Sequence, residues 1–280
     1  QAADRWISPA FFNAHTHLAD TVALDLRCSG TLEELVTPPD GLKHRILAKT
    51  TPCELISAMR ATISDMIHTG TAGFADFREG GVSGVRYLQD ACTNLACHAI
   101  ILGRDGGETA GDGAGISSAR DTKGYAEIAD RMKKEGKLVG FHAGERDNAD
   151  IDQALDCEPD FLVHCTHATP HQVRTIADAG IPVVLCPRSN FLLGVTHSSL
   201  HPPVREMTDQ GVQILFGTDN AMFVNPSVMD EISFCHTVYG IDPTVLFEAA
   251  TRGFPPAGID HAIKPGNKAN FFIADILGSN

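Results

Sequence analysis

The 280-residue sequence has no basic run of the kind that marks a nucleic-acid or membrane-surface binder. Its formal net charge is −13, from 22 basic against 35 acidic residues. A nucleic-acid or membrane-surface binder gathers basic side chains on one face, so neither a nucleic acid nor a membrane is expected as partner. No apolar stretch approaches the ~18 residues that span a bilayer. Eight cysteines (28, 53, 92, 97, 157, 165, 186, 235) include no C-x-x-C pair. Scattered through a chain this long, they read as reduced thiols of a cytoplasmic protein and not as a disulfide frame. No secretory signal is visible, although the abrupt start leaves room for a missing N-terminal segment. A G-x-G-x-x-G turn is also lacking, which weakens the case for a doubly wound open sheet.

What is present is an ordinary globular composition, 43% apolar and 20% charged, arranged as short apolar runs alternating with amphipathic segments. The runs at 10–14, 71–76, 97–102, 113–117, 138–142, 161–164, 182–186 and 213–217 predict eight strands. Helices are predicted between them. Thr51-Pro52-Cys53-Glu54 has the capping-box pattern with proline at the first helical position, and Leu55, Met59, Ile63, Met66 and Ile67 follow at helical spacing before Gly70. Thr169-Pro170 and Asp242-Pro243 open two more. Eight continuous apolar strands separated by helices predict an α/β fold, a (β/α)8 barrel, whose usual size is ~250 residues. Residues 20–50 then form a long first loop over the functional face, and the glycine-rich 104–121 stretch is expected to be a mobile loop around the fourth strand.

Polar residues recur at the strand ends. His15 and His17 close the first strand, two apart and so facing one way. His142 closes the fifth, His164 the sixth and Asp219 the eighth. All lie at C-terminal strand ends, the face on which barrel active sites sit. Three imidazoles and a carboxylate suit zinc or ferrous iron. Glu145 follows His142 by three residues, where the chain can turn it back over such a metal as a proton shuttle. His167, His197 and His201 read as turn or surface histidines. Arg104 is placed to meet a substrate or to pair with Asp105 or Glu108.

This pattern resembles the amidohydrolase superfamily, and most closely the branch of nucleobase and nucleoside deaminases and triazine chlorohydrolases. The residues that carry the resemblance are NAHTHL (13–18), HAGE (142–145), HCTHA (164–168), CPRSN (186–190), GTDNA (217–221) and PGNKANFFI (265–273). It implies one divalent metal ion, zinc or alternatively iron, held by His15, His17, His142 and Asp219. It implies that Glu145 protonates a ring nitrogen, that His164 stabilises developing charge, and that Asp219 takes a proton from the attacking water. Ser189 and Asn190 match the family's S-N pair and, with Arg104, are candidate substrate contacts. Binuclear relatives carry a lysine at the end of strand four. Here that stretch is GAGISSARD and Lys123 is already entering the next helix, which favours one metal and deamination.

The expected function is removal of an exocyclic amine from a small nitrogen heterocycle of purine, pyrimidine or pterin type, free or as a nucleoside, with release of ammonia. The rivals are hydrolysis of an amide, urea or chloro-triazine bond in the same site, and a barrel that binds a ligand without turnover. Relatives acting on S-adenosylhomocysteine-type nucleosides often carry a histidine after strand four, where this chain has Ser117 and Ser118. Residues 1–264 are expected to form the barrel and 265–280 a remnant of the segment leading to a small β-sandwich, itself trimmed or absent. The family also suggests a homo-oligomer, a dimer.

Overall fold

The structure is a computed structural model that describes residues 5–24 and 26–275. Its centre is a ring of parallel strands: β1 (Phe11–His17), β2 (Thr71–Arg78), β3 (His98–Gly103), β4 (Gly113–Ile116), β5 (Leu138–Ala143), β6 (Phe161–His164), β7 (Val183–Leu185) and β8 (Ile214–Phe216). The eight-strand (β/α)8 reading is correct, with no strand end moved by more than three residues. Each neighbouring pair is parallel, because each crossover carries helix or loop back across the outside of the ring.

The helices sit where their caps place them. Thr51 caps Pro52–His68 with a reciprocal box to Glu54, and Thr169 caps Pro170–Ala179 with one to Gln172. Each box satisfies two backbone N–H groups that the first turn leaves without partners. Met59, Ile63 and Met66 then pack on Phe74 of β2 and on the helix Gly81–Cys92. Inside the ring, Phe12, Ala14, Ala75, Phe77, Phe161 and Val163 fill the barrel, closed below by Phe254.

Strand β8 is split. Ile214–Phe216 pairs with β7, the chain passes through Gly217 and Thr218, and Asp219–Asn220 then pairs with Thr16 and His17 of β1. Across the break the side chain of Asn13 replaces the ladder. Its Nδ2 donates to Thr218 Oγ1 at 2.8 Å and its Oδ1 accepts from Thr218 N–H at 3.0 Å. A Cβ on Gly217 would stand 2.6 Å from that of His15, so this crossing needs glycine.

The 104–121 stretch is tied down and is not a loose loop. The Asp112 N–H donates to Ile101 O at 2.8 Å, and its carboxylate accepts from Ile101 N–H at 2.8 Å, which leads the chain directly into β4. At the other face of the molecule, Arg5–Pro9 pairs antiparallel with Phe271–Asp275. This ribbon lies outside the ring, anchored by Trp6 stacked on Phe247 with centroids 5.4 Å apart. All eight cysteines are free. Among the described residues no helix is long and apolar enough to cross a membrane.

Candidate metal centre and its surroundings

Alternation along β1 would bring the wrong residues inward. Phe12 and Ala14 face the barrel interior and Phe11 the outer helices, so strict period two would send Thr16 inward after them. A register shift between Asn13 and Thr16 reverses this parity, which is what a bulge does beside a functional site. His15 and His17 thereby enter the top of the barrel, with His15 edge-on to Phe77 at 4.6 Å between centroids. The i, i+2 spacing gave their common side, and the bulge decides which side.

The structure brings His15, His17, His142 and Asp219 together, buried, each offering one ligand atom within 4.8 Å of the others. His15 Nε2 is 3.1 Å from His142 Nε2 and 3.3 Å from Asp219 Oδ1, and His17 Nε2 is 3.5 Å from the same oxygen. A second group shares Asp219: Glu145, His164 and Asp219 converge within the same limit, with His164 Nε2 3.9 Å from Glu145 Oε1. Backbone geometry marks both strand ends. His164 has φ 72° and Asp219 φ 61°, left-handed values that cost a non-glycine residue about 1–3 kcal/mol each. Gly144, with φ 69°, makes the turn that swings Glu145 back toward the cluster, and Asp150 Oδ1 holds that turn by accepting from Gly144 N–H at 2.8 Å.

The electrostatics favour neutral imidazoles around one carboxylate. Burial pushes His15 down to about 4, against the partial opposition of Asp219. Burial also lowers His142, as do the neighbouring His15 and Arg104. Burial acts to raise Asp219, but the hydrogen bond and charge of His15, with His164 and His17, outweigh it and hold the carboxyl well below its ordinary range. For Glu145 burial dominates and raises it, with His164 pulling the other way. Unprotonated nitrogens and an ionised carboxylate converging on one point are the donor set of a divalent transition metal.

These shifts predict an acid-labile fold when metal is removed. His15 takes a proton at pH 6.5 when unfolded but only near pH 4 when folded. Between these values the unfolded chain binds more protons, so stability is complete above pH 6.5, declines as pH falls and levels off near pH 4. His15 alone is worth about 3 kcal/mol over that window. Thermal unfolding of chelator-treated protein from pH 7 to pH 4 should show a steadily falling Tm, and a flat profile would contradict the burial of these rings.

Other candidates stand differently from the sequence reading. Ser189 and Asn190 are fully buried and do not line the cavity. They are not placed as substrate contacts. Ser189 Oγ donates to Asp219 Oδ2 at 2.6 Å, and Asn190 Oδ1 lies 3.1 Å from His164 Nδ1 while its amide donates to Thr166 Oγ1. Asn190 thereby fixes the proton of His164 on Nδ1 and turns Nε2 toward Glu145. Asn190→Ala leaves a buried donor without a partner, so a loss of about 1–3 kcal/mol is expected, measured by denaturant unfolding. Arg104 pairs with neither Asp105 nor Glu108. It donates to Gly115 O at 2.8 Å and to Glu79 at 3.3 Å, and reaches His142 Nδ1 at 3.3 Å. His167 stays out of the cluster, and His201 turns back to Thr166 O.

The sequence reading missed a buried ionic group beside His17. Glu79, just beyond β2, lies 2.8 Å from His17 Nδ1, 2.8 Å from Lys43 and 2.5 Å from Arg78. Arg78 also meets Asp76 at 3.3 Å, and Lys43 meets Asp20 at 2.9 Å. The signal was an acid at a strand's C-terminal end, hidden because the predicted strand stopped at Asp76. Lys43 left no local signal, since it arrives on a short helix of the 20–50 loop, Leu42–Leu47.

Comparison with known proteins places this geometry. The family model described as adenosine deaminase matches residues 75–265. A protein of Methanothermobacter thermautotrophicus, provisionally named an aminohydrolase, is 32% identical over 92% of this chain and 72% of its own length. A 5-methylthioadenosine/S-adenosylhomocysteine deaminase of Halobacterium salinarum is 26% identical over 82% of this chain and 62% of its own. Among solved structures, the zinc complex of atrazine chlorohydrolase from Arthrobacter aurescens superposes with a TM-score of 0.78 at 16% identity, covering 98% of this chain and 76% of that one. The chain belongs to the adenosine deaminase family, within the amidohydrolase superfamily.

Proposed function

We propose that the protein is a mononuclear metal-dependent aminohydrolase that replaces an exocyclic amine of a nitrogen heterocycle by a carbonyl and releases ammonia. The observation that carries this reading is the shared Asp219. One carboxylate belongs both to the His15, His17, His142 group and to the group of Glu145 and His164, so a metal site and a proton-transfer site meet at one residue. His15, His17, His142 and Asp219 would hold a single divalent ion, zinc or iron. Such an ion supplies Lewis-acid polarisation and brings the pKa of a water toward neutrality.

The residues of the chain do the rest. Asp219 Oδ1 accepts the proton of the attacking water while Ser189 fixes its other oxygen. Glu145, raised by burial, is a carboxyl able to carry the proton that the ring nitrogen needs as the adjacent carbon is attacked. His164 Nε2, aimed by Asn190, stabilises the charge that develops in the tetrahedral adduct. Collapse of the adduct breaks the C–N bond, and a proton passed through Glu145 lets the amine leave as ammonia.

A purine, pyrimidine or pterin ring fits this chemistry. Lys123, the lysine nearest in sequence to the end of β4, lines a neighbouring cavity and not the histidine cluster, which supports a one-metal site over one bridged by a lysine from that strand. The test is ammonia release from a panel of aminated heterocycles, run beside cyclic amides, ureas and chloro-triazines with the metal-loaded protein. Turnover confined to the second group would replace this reading by its hydrolase rival.

A further inference from the structure

We infer that Glu79 is a positioning residue for the metal centre, one that keeps the proton of His17 on Nδ1 and so presents a bare Nε2 to the cluster. The inference deepens the metal-site reading above and rests on it. Glu79 Oε1 lies 2.8 Å from His17 Nδ1, but off the line of a straight Nδ1–H bond. Alignment is not needed to choose the tautomer. A bare Nδ1 would set two lone pairs 2.8 Å apart inside the protein, and a protonated Nδ1 faces a carboxylate instead. With the proton on Nδ1, Nε2 is free where Asp219 Oδ1 waits at 3.5 Å.

The surroundings keep Glu79 ionised and still. Lys43 and Arg104 share Oε1 with His17, and Arg78 takes Oε2. Each of these cations is itself anchored: Lys43 by Asp20, Arg78 by Asp76, Arg104 by Gly115 O. His142 is set independently of this hub: its Nδ1 donates to Ile116 O at 3.0 Å, which leaves its Nε2 bare. This carboxylate thus acts on one proposed ligand, His17. Lys43 comes from the long first loop, so the roof over the cavity and the metal centre are joined at the same oxygen. Orientation of ligand imidazoles by carboxylates behind them is worth 10- to 100-fold in metal affinity elsewhere.

The experiment uses the 280-residue chain stripped by chelator and titrated with zinc against a competing indicator, with the ring nitrogens of His17 observed by NMR in the metal-free protein. The variants are Glu79→Gln and the charge-balanced double variant Glu79→Gln, Lys43→Met. The second removes one buried anion with one buried cation and so keeps the net charge of the group. The wild type should show the proton on Nδ1 of His17. In both variants zinc affinity should fall 10- to 100-fold, and the tautomer should shift because an amide can turn its NH2 toward Nδ1. Lys43→Met also takes the partner of buried Asp20, so the Tm of the metal-free double variant should fall. The tautomer of His17 in the folded protein is the readout that a merely structural role for Glu79 does not move. Unchanged affinity in the double variant, a proton on Nε2 in the wild type, or a wild type that takes up no zinc each overturns the inference. Normal zinc binding without ammonia release from any heterocycle sinks the deaminase reading alone and leaves the role of Glu79 intact.

Discussion

Replacing His142 by alanine should abolish metal binding and, with it, activity. Wild-type protein purified without chelator is expected to carry about one equivalent of zinc or iron per chain, and His142→Ala close to none. His142 is the middle of the donor set: its Nε2 is 3.1 Å from that of His15, and its ring stacks on His17 and His164. Removing it leaves two histidines and one carboxylate on one side of the barrel with no donor opposite. Turnover should drop below detection, because no remaining group can bring a water to neutral reactivity. Elemental analysis decides the matter. Retention of a full equivalent in the variant would place the metal elsewhere, and two equivalents in the wild type would favour the binuclear hydrolases.

Glu145→Gln is the counterpart, expected to lose chemistry while keeping metal. Glu145 does not belong to the His15, His17, His142 and Asp219 group and meets it only through Asp219 and His164. The amide preserves size and some hydrogen bonding but carries no proton to give. General acid–base groups contribute typically 10²–10⁴-fold, so kcat should fall by about that factor with metal content unchanged. The contrast is diagnostic, since one variant empties the site and the other leaves it loaded and slow. If Glu145→Gln kept most of the wild-type rate on heterocyclic amines, Glu145 would be only a solvated rim acid and the proposed proton path would fail.

Much of this was legible in the sequence because barrels repeat one rule. A polar residue at the C-terminal end of an apolar run is an address, and His15, His17, His142, His164 and Asp219 all carry it. Caps were legible for the same reason, since Thr51 and Thr169 act within three residues. The parity of β1 was not, because a bulge is decided by what lies across the sheet and not by the strand's own alternation. Nor were the partners of Arg104, which lie 25 and 38 residues away along the chain. Ser189 and Asn190 show the limit clearly. Their motif placed them at the site, but only packing reveals that their side chains face Asp219 and His164 and not the cavity.

The split of β8 has a consequence for the order in which the molecule assembles. The bonds that close the ring, between Asn13 and Thr218, join residues 205 apart in sequence, and Asp219 lies just beyond. Contacts of such separation form late, because a long loop must be closed before they contribute anything. A chain emerging from the ribosome has His15, His17 and His142 long before it has the carboxylate that completes them. Until the last barrel unit is made the donors remain an open arc, and an ion captured early is held weakly by imidazoles alone. Ring closure and completion of the proposed metal site are then one event, and an ion bound there would act as a latch on the finished barrel.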